Sequence, residues 1–334
     1  MRSAAIAFVL FSWAAAPSPA FAEASRAGAW SGDYLLLGVS ARASGMGDAF
    51  VAVTGDPANL YWNPAGLPSI DRFGIQAQYN LWLDGLKHDY ISFVAPMDHI
   101  VADMWGGVGI SYATIQSGDV QRTLEDADGN YYTDKTIFAA GETVFTMGYG
   151  GQVTQTFSAG TNIKLVNQKM DNSSATTAVV DIGALSKSAV NGLTGAVLIQ
   201  NIGGKFAGGA LPLTGKLGGA YEIQDAPFLG SMLMFTADVW LGFLSTDNRP
   251  KANVGAEYRI EDGGDGPGGK EPPHTLAVRA GYRVNHYWYD PMDGLSVGGG
   301  MAVAIAGGSY GGDYAWSPHG AFGPTHRITL TAKF

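Results

Sequence analysis

Gly307-Gly308-Ser309-Tyr310-Gly311 has the spacing of a serine nucleophile elbow, with Asp313 and His319 nearby as acid and base. Such an elbow needs a strand, a sharp turn and a helix in an α/β sheet, because the turn lifts the hydroxyl clear of the backbone. Here the motif lies between two strand-like segments and more glycines follow, so a tight hairpin is expected instead. Asp126-Ala127-Asp128-Gly129-Asn130 offers oxygen ligands for calcium, but Leu124 occupies the first EF-hand position and Lys135 the last. A turn is expected there. Gly45-Met46-Gly47 lacks the third glycine and the preceding strand of a dinucleotide site. The histidines His88, His99, His274, His286, His319 and His326 show no ligand spacing. Without a single cysteine, thiolate zinc sites, disulfides and cysteine nucleophiles are excluded. No enzyme activity, cofactor or metal is expected.

The charges are more informative than these motifs. Lys164, Asp181, Asp238, Glu257, Arg259, Arg279 and Arg283 each fall on the polar parity of an alternating segment. If those segments are barrel strands, the seven face a lumen. Hairpin symmetry then sets Lys164 near Asp181 and Asp238 near Glu257, with Glu257 and Arg259 approaching Arg279 and Arg283. They are expected to form an ion-paired network that anchors whatever fills the lumen, with a polar path for a solute as the other reading.

Composition says which elements must hold them. Of 334 residues, 46% are hydrophobic and only 15% charged, and 48 are glycine, about twice the usual share. Disorder needs the reverse balance, and a net charge of -9 argues against nucleic acid as a partner. Arg2, the apolar stretch from Ala4 to Ala16 and the small-residue site Ala20-Phe21-Ala22 read as a secretory signal over 1–22, cleaved before Glu23. Downstream, period 2 dominates. Phe73, Ile75, Ala77, Tyr79, Leu81 and Leu83 alternate with Gly74, Gln76, Gln78 and Asn80, and the pattern recurs throughout the chain.

Fourteen strands are predicted, near 73–83, 88–97, 106–115, 143–151, 156–169, 175–187, 193–201, 213–224, 231–241, 250–260, 274–285, 295–306, 309–316 and 325–334. An even count suits an all-β transmembrane antiparallel barrel of the bacterial outer membrane over 71–334, with lipid as its surroundings. With the first strand running outward, 116–142, 202–212, 242–249, 286–294 and 317–324 become external connections. Connections 152–155, 188–192 and 307–308 become periplasmic turns, and the long Gly/Pro-rich 261–273 also falls there, as a flexible linker. Gly183, Gly255 and Gly281 have lumen parity, where another backbone could lie close. The last strand ends on Phe334, an aromatic of the apolar face.

Residues 23–70 lack alternation and carry turn clusters, with short helices expected at Met46–Val53 and from Asp56 onward. A structureless lead of this length is unusual, so it is expected to fold into the lumen as a plug. The run Ala41-Arg42-Ala43-Ser44-Gly45-Met46-Gly47-Asp48-Ala49-Phe50-Val51-Ala52, followed by Tyr61-Trp62-Asn63-Pro64-Ala65-Gly66-Leu67, resembles the signature of the PorV/PorQ family of outer-membrane proteins. Asn63-Pro64-Ala65-Gly66 is also similar to the plug of FadL, the long-chain fatty-acid transporter. Asp181-Ile182-Gly183-Ala184, Gln200-Asn201-Ile202-Gly203-Gly204 and Arg279-Ala280-Gly281-Tyr282 fit the same pattern in order.

The resemblance implies a FadL-like fourteen-stranded barrel whose plug motif comprises Arg42, Gly45, Met46, Gly47, Asn63, Pro64, Ala65 and Gly66. By analogy to PorV it implies a part in type IX secretion, binding cargo signal domains or secretion components. The alternative is a FadL-like conduit for fatty acids or other hydrophobic small molecules, and a third reading is a structural scaffold.

Overall fold

The computed structural model describes residues 32–100, 105–226, 231–244, 250–263, 272–284, 291–319 and 322–334. The leader predicted over 1–22, and most of the predicted linker 261–273, lie outside the described residues.

Alternation becomes two faces of one wall. Along the last strand Thr329 is fully buried while its neighbour Leu330 is 62% exposed. The same contrast separates Gln76 and Gln78, facing in, from Ile75 and Tyr79, facing out. A soluble protein would not leave such a belt in water, whereas lipid rewards it.

The strands are β1 (Gly74–Leu81), β2 (Lys87–Pro96), β3 (Gly107–Glu125), β4 (Tyr131–Gln152), β5 (Phe157–Met170), β6 (Ser173–Lys187), β7 (Leu193–Ile202), β8 (Lys205–Phe206), β9 (Gly209–Ala210), β10 (Leu213–Ala226), β11 (Ser231–Leu244), β12 (Lys251–Asp262), β13 (His274–Val284), β14 (Leu295–Ile305), β15 (Gly308–Pro318) and β16 (Pro324–Lys333). All but β8 and β9 form a closed barrel in which chain neighbours pair antiparallel. β16 returns to β1 in the register Gly74↔Lys333 to Leu81↔His326. Closure leaves no sheet edge within the wall, the condition for a sheet to stand in lipid. At the seam Phe334 donates its amide to the Phe73 carbonyl (3.0 Å), and the Phe73 ring lies between those of Phe93 and Phe334.

Fourteen barrel strands match the number read from the sequence, but several boundaries differ. The segment 116–142, expected as an external connection, is mostly strand. Pairing with β2 stops at Lys87↔Gln116 and with β5 at Ala140↔Met170, while β3 and β4 pair on to Glu125↔Tyr131. The paired hairpin therefore stands roughly 25–30 Å above the rim at about 3.3 Å per residue. No lipid faces it there, so it carries no apolar alternation to reveal it. We call this end of the barrel the hairpin end and the other the terminal end. The connection expected at 202–212 holds the small β8–β9 ribbon, whose Phe206 and the following Leu211 are buried against the plug and the wall. The elbow-like Gly307–Gly311 lies at the β14–β15 hairpin, whose turn residues Ala306 and Gly307 have positive φ.

Candidate functional site

Residues 33–70 occupy the lumen in short pieces. A 3-10 turn (Asp33–Leu36) leads through an extended stretch into helix α1 (Ala41–Gly45), and helix α2 (Asn59–Trp62) is followed by a 3-10 turn (Pro64–Ser69). The short helix expected over Met46–Val53 is instead a chain of turns, and α1 precedes it. Gly47, with φ +66°, bends the chain out of helical geometry there. Asn63 starts the last turn because its side chain accepts from the Ala65 amide (3.1 Å) and Pro64 takes the first helical position. Asp56 accepts from Ala58 (2.9 Å) and Asn59 from the Asp56 amide (3.0 Å), fixing the start of α2. Trp62 is fully buried and donates to the Val39 carbonyl (2.9 Å); its ring meets Phe50 and Trp240 at 6.0 Å each. Those rings join Met46, Val53 and Met234 in the main apolar cluster, shared between plug and wall.

Two of the plug motif's stretches lie on glycines of the wall. Gly45-Met46-Gly47 runs over Gly298, Gly281 and Gly255. A methyl at Gly281 would overlap the Gly47 amide nitrogen, one at Gly255 would overlap the Met46 carbonyl, and one at Gly298 would come within 3.1 Å of Gly45 Cα. Gly255 and Gly281 are register partners, so they open a single socket. Asn63, Pro64 and Ala65 rest likewise on Gly183, Gly150 and Gly160, where added methyls would overlap the Asn63 side chain and the Pro64 backbone. Ser158 donates to the Ala65 carbonyl (2.7 Å), and Gly66 is pressed against the Asn59 side chain. Main chain lies against main chain at both seats. Only glycine permits that approach.

Ion pairs close around the same plug. Arg42 reaches Glu257 of β12 (2.7 Å) and Asp56 (2.9 Å), and Glu257 also takes Arg279 of β13 (2.5 Å), which holds Asp313 of β15 (2.7 Å). Burial disfavours the Arg42 cation, yet the Glu257 and Asp56 carboxylates overcome it and raise its pKa above the usual arginine range. Burial would likewise raise Asp56, but the charges of Arg42 and Lys333 and the Ala58 amide outweigh it and hold the carboxyl below its usual pKa. Asp48, at the turn after α1, faces Arg283 (3.3 Å) and Arg327 (3.9 Å).

The predicted pairs divide. Lys164 meets Asp181 (2.7 Å), and Glu257 meets Arg279. Asp238 does not lie beside Glu257: the β11–β12 register sets Asp238 opposite Asn253 and Met234 opposite Glu257. The hairpin's centre of symmetry lies two residues earlier than that pairing requires, which moves the partner opposite Asp238 by four, and Asp238 instead accepts from the plug amides of Phe50 (2.8 Å) and Val51 (3.0 Å). Arg283 meets Asp48 rather than Glu257, and Arg259 pairs with Glu261 (3.1 Å) on its own strand. Asp48, Asp56, Asp313 and Arg327 join the network beyond the seven expected charges. Asp313 and Arg327 sit on lumen parity and were findable by that rule, whereas the two plug carboxylates have no periodicity to mark them. Lys216, also on lumen parity, is 1% exposed with its ammonium 3.8 Å above the Trp240 ring centre and 5.0 Å from that of Trp62.

Among the recesses beside the plug, two differ sharply in character. One, a mostly apolar crevice of about 490 Å³ including its mouth, lies toward the hairpin end between Leu35, Val39 and Leu60 of the plug and Ala113, Ile115 and Val144 of the wall. The other, polar and about 630 Å³, opens among β12–β16 beside Arg42, Asp56, Arg279, Asp313 and Lys333.

No family model and no curated protein matches the sequence. Solved structures do match. The Pseudomonas putida toluene transporter TodX superposes with a TM-score of 0.53 at 11% identity, covering 89% of this chain and 96% of that one. The Ralstonia pickettii toluene transporter TbuX gives 0.55 at 10% identity, over 89% and 97%. At such identities the likeness is one of fold, a FadL-like fourteen-stranded barrel. That fold and the exposed apolar belt make this an outer-membrane barrel.

Proposed function

We propose that the chain is a plugged conduit for small hydrophobic solutes across the outer membrane, and not an enzyme. The observation that carries this reading is the apolar crevice. Set beside the polar recess at β12–β16, its mostly apolar walls suit a solute with little affinity for water. The hairpin end is the outer face, so that solute enters from outside. Residues 1–22 are the export leader, 23–70 the plug and 71–334 the barrel, and the lumen ion pairs serve to seat the plug. The toluene transporters TodX and TbuX lend the reading support through fold.

Uptake of radiolabelled toluene by cells that express the chain, against cells that lack it, tests the reading. Leu35→Glu and Val144→Glu each place a carboxylate in the crevice and should cut uptake at least about tenfold, since an unpaired charge in apolar surroundings is costly. Uptake unchanged by both variants, with the folded barrel intact in the membrane, would refute it.

A second reading follows the PorV/PorQ resemblance and makes the protein a partner of exported cargo in type IX secretion. The feature that favours it is the projecting β3–β4 hairpin, whose outer edges are unpaired beyond Gln116 and Ala140 and which exposes Tyr131 and Tyr132. Capture of cargo signal domains by the intact chain, lost when 118–138 is replaced by a two-residue turn, would decide for it.

A further inference from the structure

The crevice is apolar in its body but not throughout. His88 of β2 is 5% exposed and its Nδ1 makes no hydrogen bond within the protein; Tyr34 of the plug is half-buried as a residue, but its hydroxyl oxygen is buried and likewise without a protein partner. Both residues line the crevice, among Leu35, Leu60 and Val144. A buried polar atom without a partner is costly, so a partner must come from what occupies the space.

We propose that this site selects, among small apolar solutes, those carrying one hydroxyl on a ring or short chain, of the phenol type. The inference rests on the conduit reading and names its substrate class. A hydroxyl both donates and accepts, so it satisfies His88 in either tautomer and Tyr34 in either rotor position. A bare hydrocarbon would displace water from these two groups and return nothing to them. A carboxylate fares no better. Lys164, the cation lining the crevice, is already held by Asp181 (2.7 Å) and Asn201 (3.1 Å), so an entering anion meets a neutralised pair. The two polar groups come from opposite sides, one from the wall and one from the plug, so a bound hydroxyl also bridges the plug to the barrel.

The test compares p-cresol with toluene, which have the same ring and methyl and differ in one hydroxyl. Equilibrium dialysis of each radiolabelled solute against the full chain in lipid nanodiscs should give p-cresol a dissociation constant about tenfold lower. Tyr34→Phe removes only the hydroxyl oxygen and His88→Phe removes the ring nitrogens. Each should bring the two solutes to within about threefold of one another while toluene affinity holds. Equal or tighter binding of toluene by the unmodified protein, or a p-cresol preference unmoved by both variants, overturns the proposal and leaves the conduit reading standing. If neither solute binds, both fail.

Discussion

Gly281→Ala is the sharpest test of how the plug is seated. The added methyl would overlap the Gly47 amide nitrogen and the Met46 carbonyl carbon, both main-chain atoms that cannot rotate away as a side-chain tip could. Gly47 cannot yield easily, because its own Cβ position is crowded by Tyr282 and Val254 main-chain atoms at 2.7 and 2.9 Å. Overpacking costs about 1–3 kcal/mol where side chains can shift, and a backbone obstacle puts this site near the top, about 3 kcal/mol. That is roughly a hundredfold shift of the seated-to-displaced ratio. Gly219→Ala is the internal control. It lies on a barrel strand like Gly281 but points to lipid, with nothing within 4 Å of its Cβ position. Both variants in planar bilayers give the measurement. Gly281→Ala should raise the frequency of open-channel events and speed proteolysis between Ala41 and Ser69, whereas Gly219→Ala should match the unmodified protein. Indistinguishable conductance and proteolysis in the two variants would refute the socket.

Three further expectations concern charge and the rim. Arg42→Met strips Asp56 and Glu257 of their shared cation; since Glu257 keeps Arg279, the loss should fall at the low end of a broken buried pair, about 3 kcal/mol of plug seating, read as protease sensitivity of the plug. The pH dependence follows from Asp56, whose pKa is depressed in the folded state: its stabilisation is complete above the ordinary carboxylate range and is lost as pH falls through the lowered value. Plug protection should therefore hold from neutral pH down to about 4 and fall only below it, and loss of protection already at pH 6 would contradict the assignment. Trimming the projecting hairpin at 118–138 should change the thermal stability of the barrel in detergent little, because beyond Gln116 and Ala140 its strands pair with each other and the Arg122–Asp171 ion pair that is lost is a partly exposed one, worth at most about 1 kcal/mol.

What could be read from the sequence was what lipid dictates. Wherever a strand crosses the membrane its side chains must alternate, so Leu330 against Thr329, or Val278 against Arg279, betrays both the strand and its facing. The same parity put Gly255 and Gly281 on the lumen side, where the Met46–Gly47 backbone lies. Where lipid stops, so does the code: β3 and β4 beyond Gln116 and Ala140 pair without apolar alternation and read as a loop. Register was equally hidden. A two-residue displacement of the β11–β12 centre puts Asp238 four residues out of register with its expected neighbour Glu257, because period 2 fixes facing and says nothing of which residue lies opposite. The plug hides its chemistry most, since Asp48 and Asp56 lie in irregular chain and the cations they meet are far off in sequence, as Arg283, Arg327 and Lys333 are, or, like Arg42, in the plug itself.

The two seats and the two recesses together constrain how anything could pass. The apolar crevice lies against β2–β4 near the hairpin end, and the polar recess lies against β12–β16, so they flank different sides of the plug. Between the two stands the plug itself, whose Phe50 and Trp62 form one cluster with Trp240 of the wall. Displacing that cluster would disturb Met46 at one glycine seat and Phe50, which lies under the Arg42 guanidinium, so such openings are rarer than those of less packed segments. The leading stretch from Asp33 to Val39 is held differently. Its carbonyls at Leu35 and Val39 take one hydrogen bond each from Tyr61 and Trp62, and Leu35 packs beneath Phe206 and Leu211. Neither glycine socket touches it. Val39 belongs to that aromatic cluster and holds the Trp62 indole, so in a conduit built on this plan the crevice would widen by movement of 33–37, short of Val39, while Gly45-Met46-Gly47 and Asn63-Pro64-Ala65 stay seated.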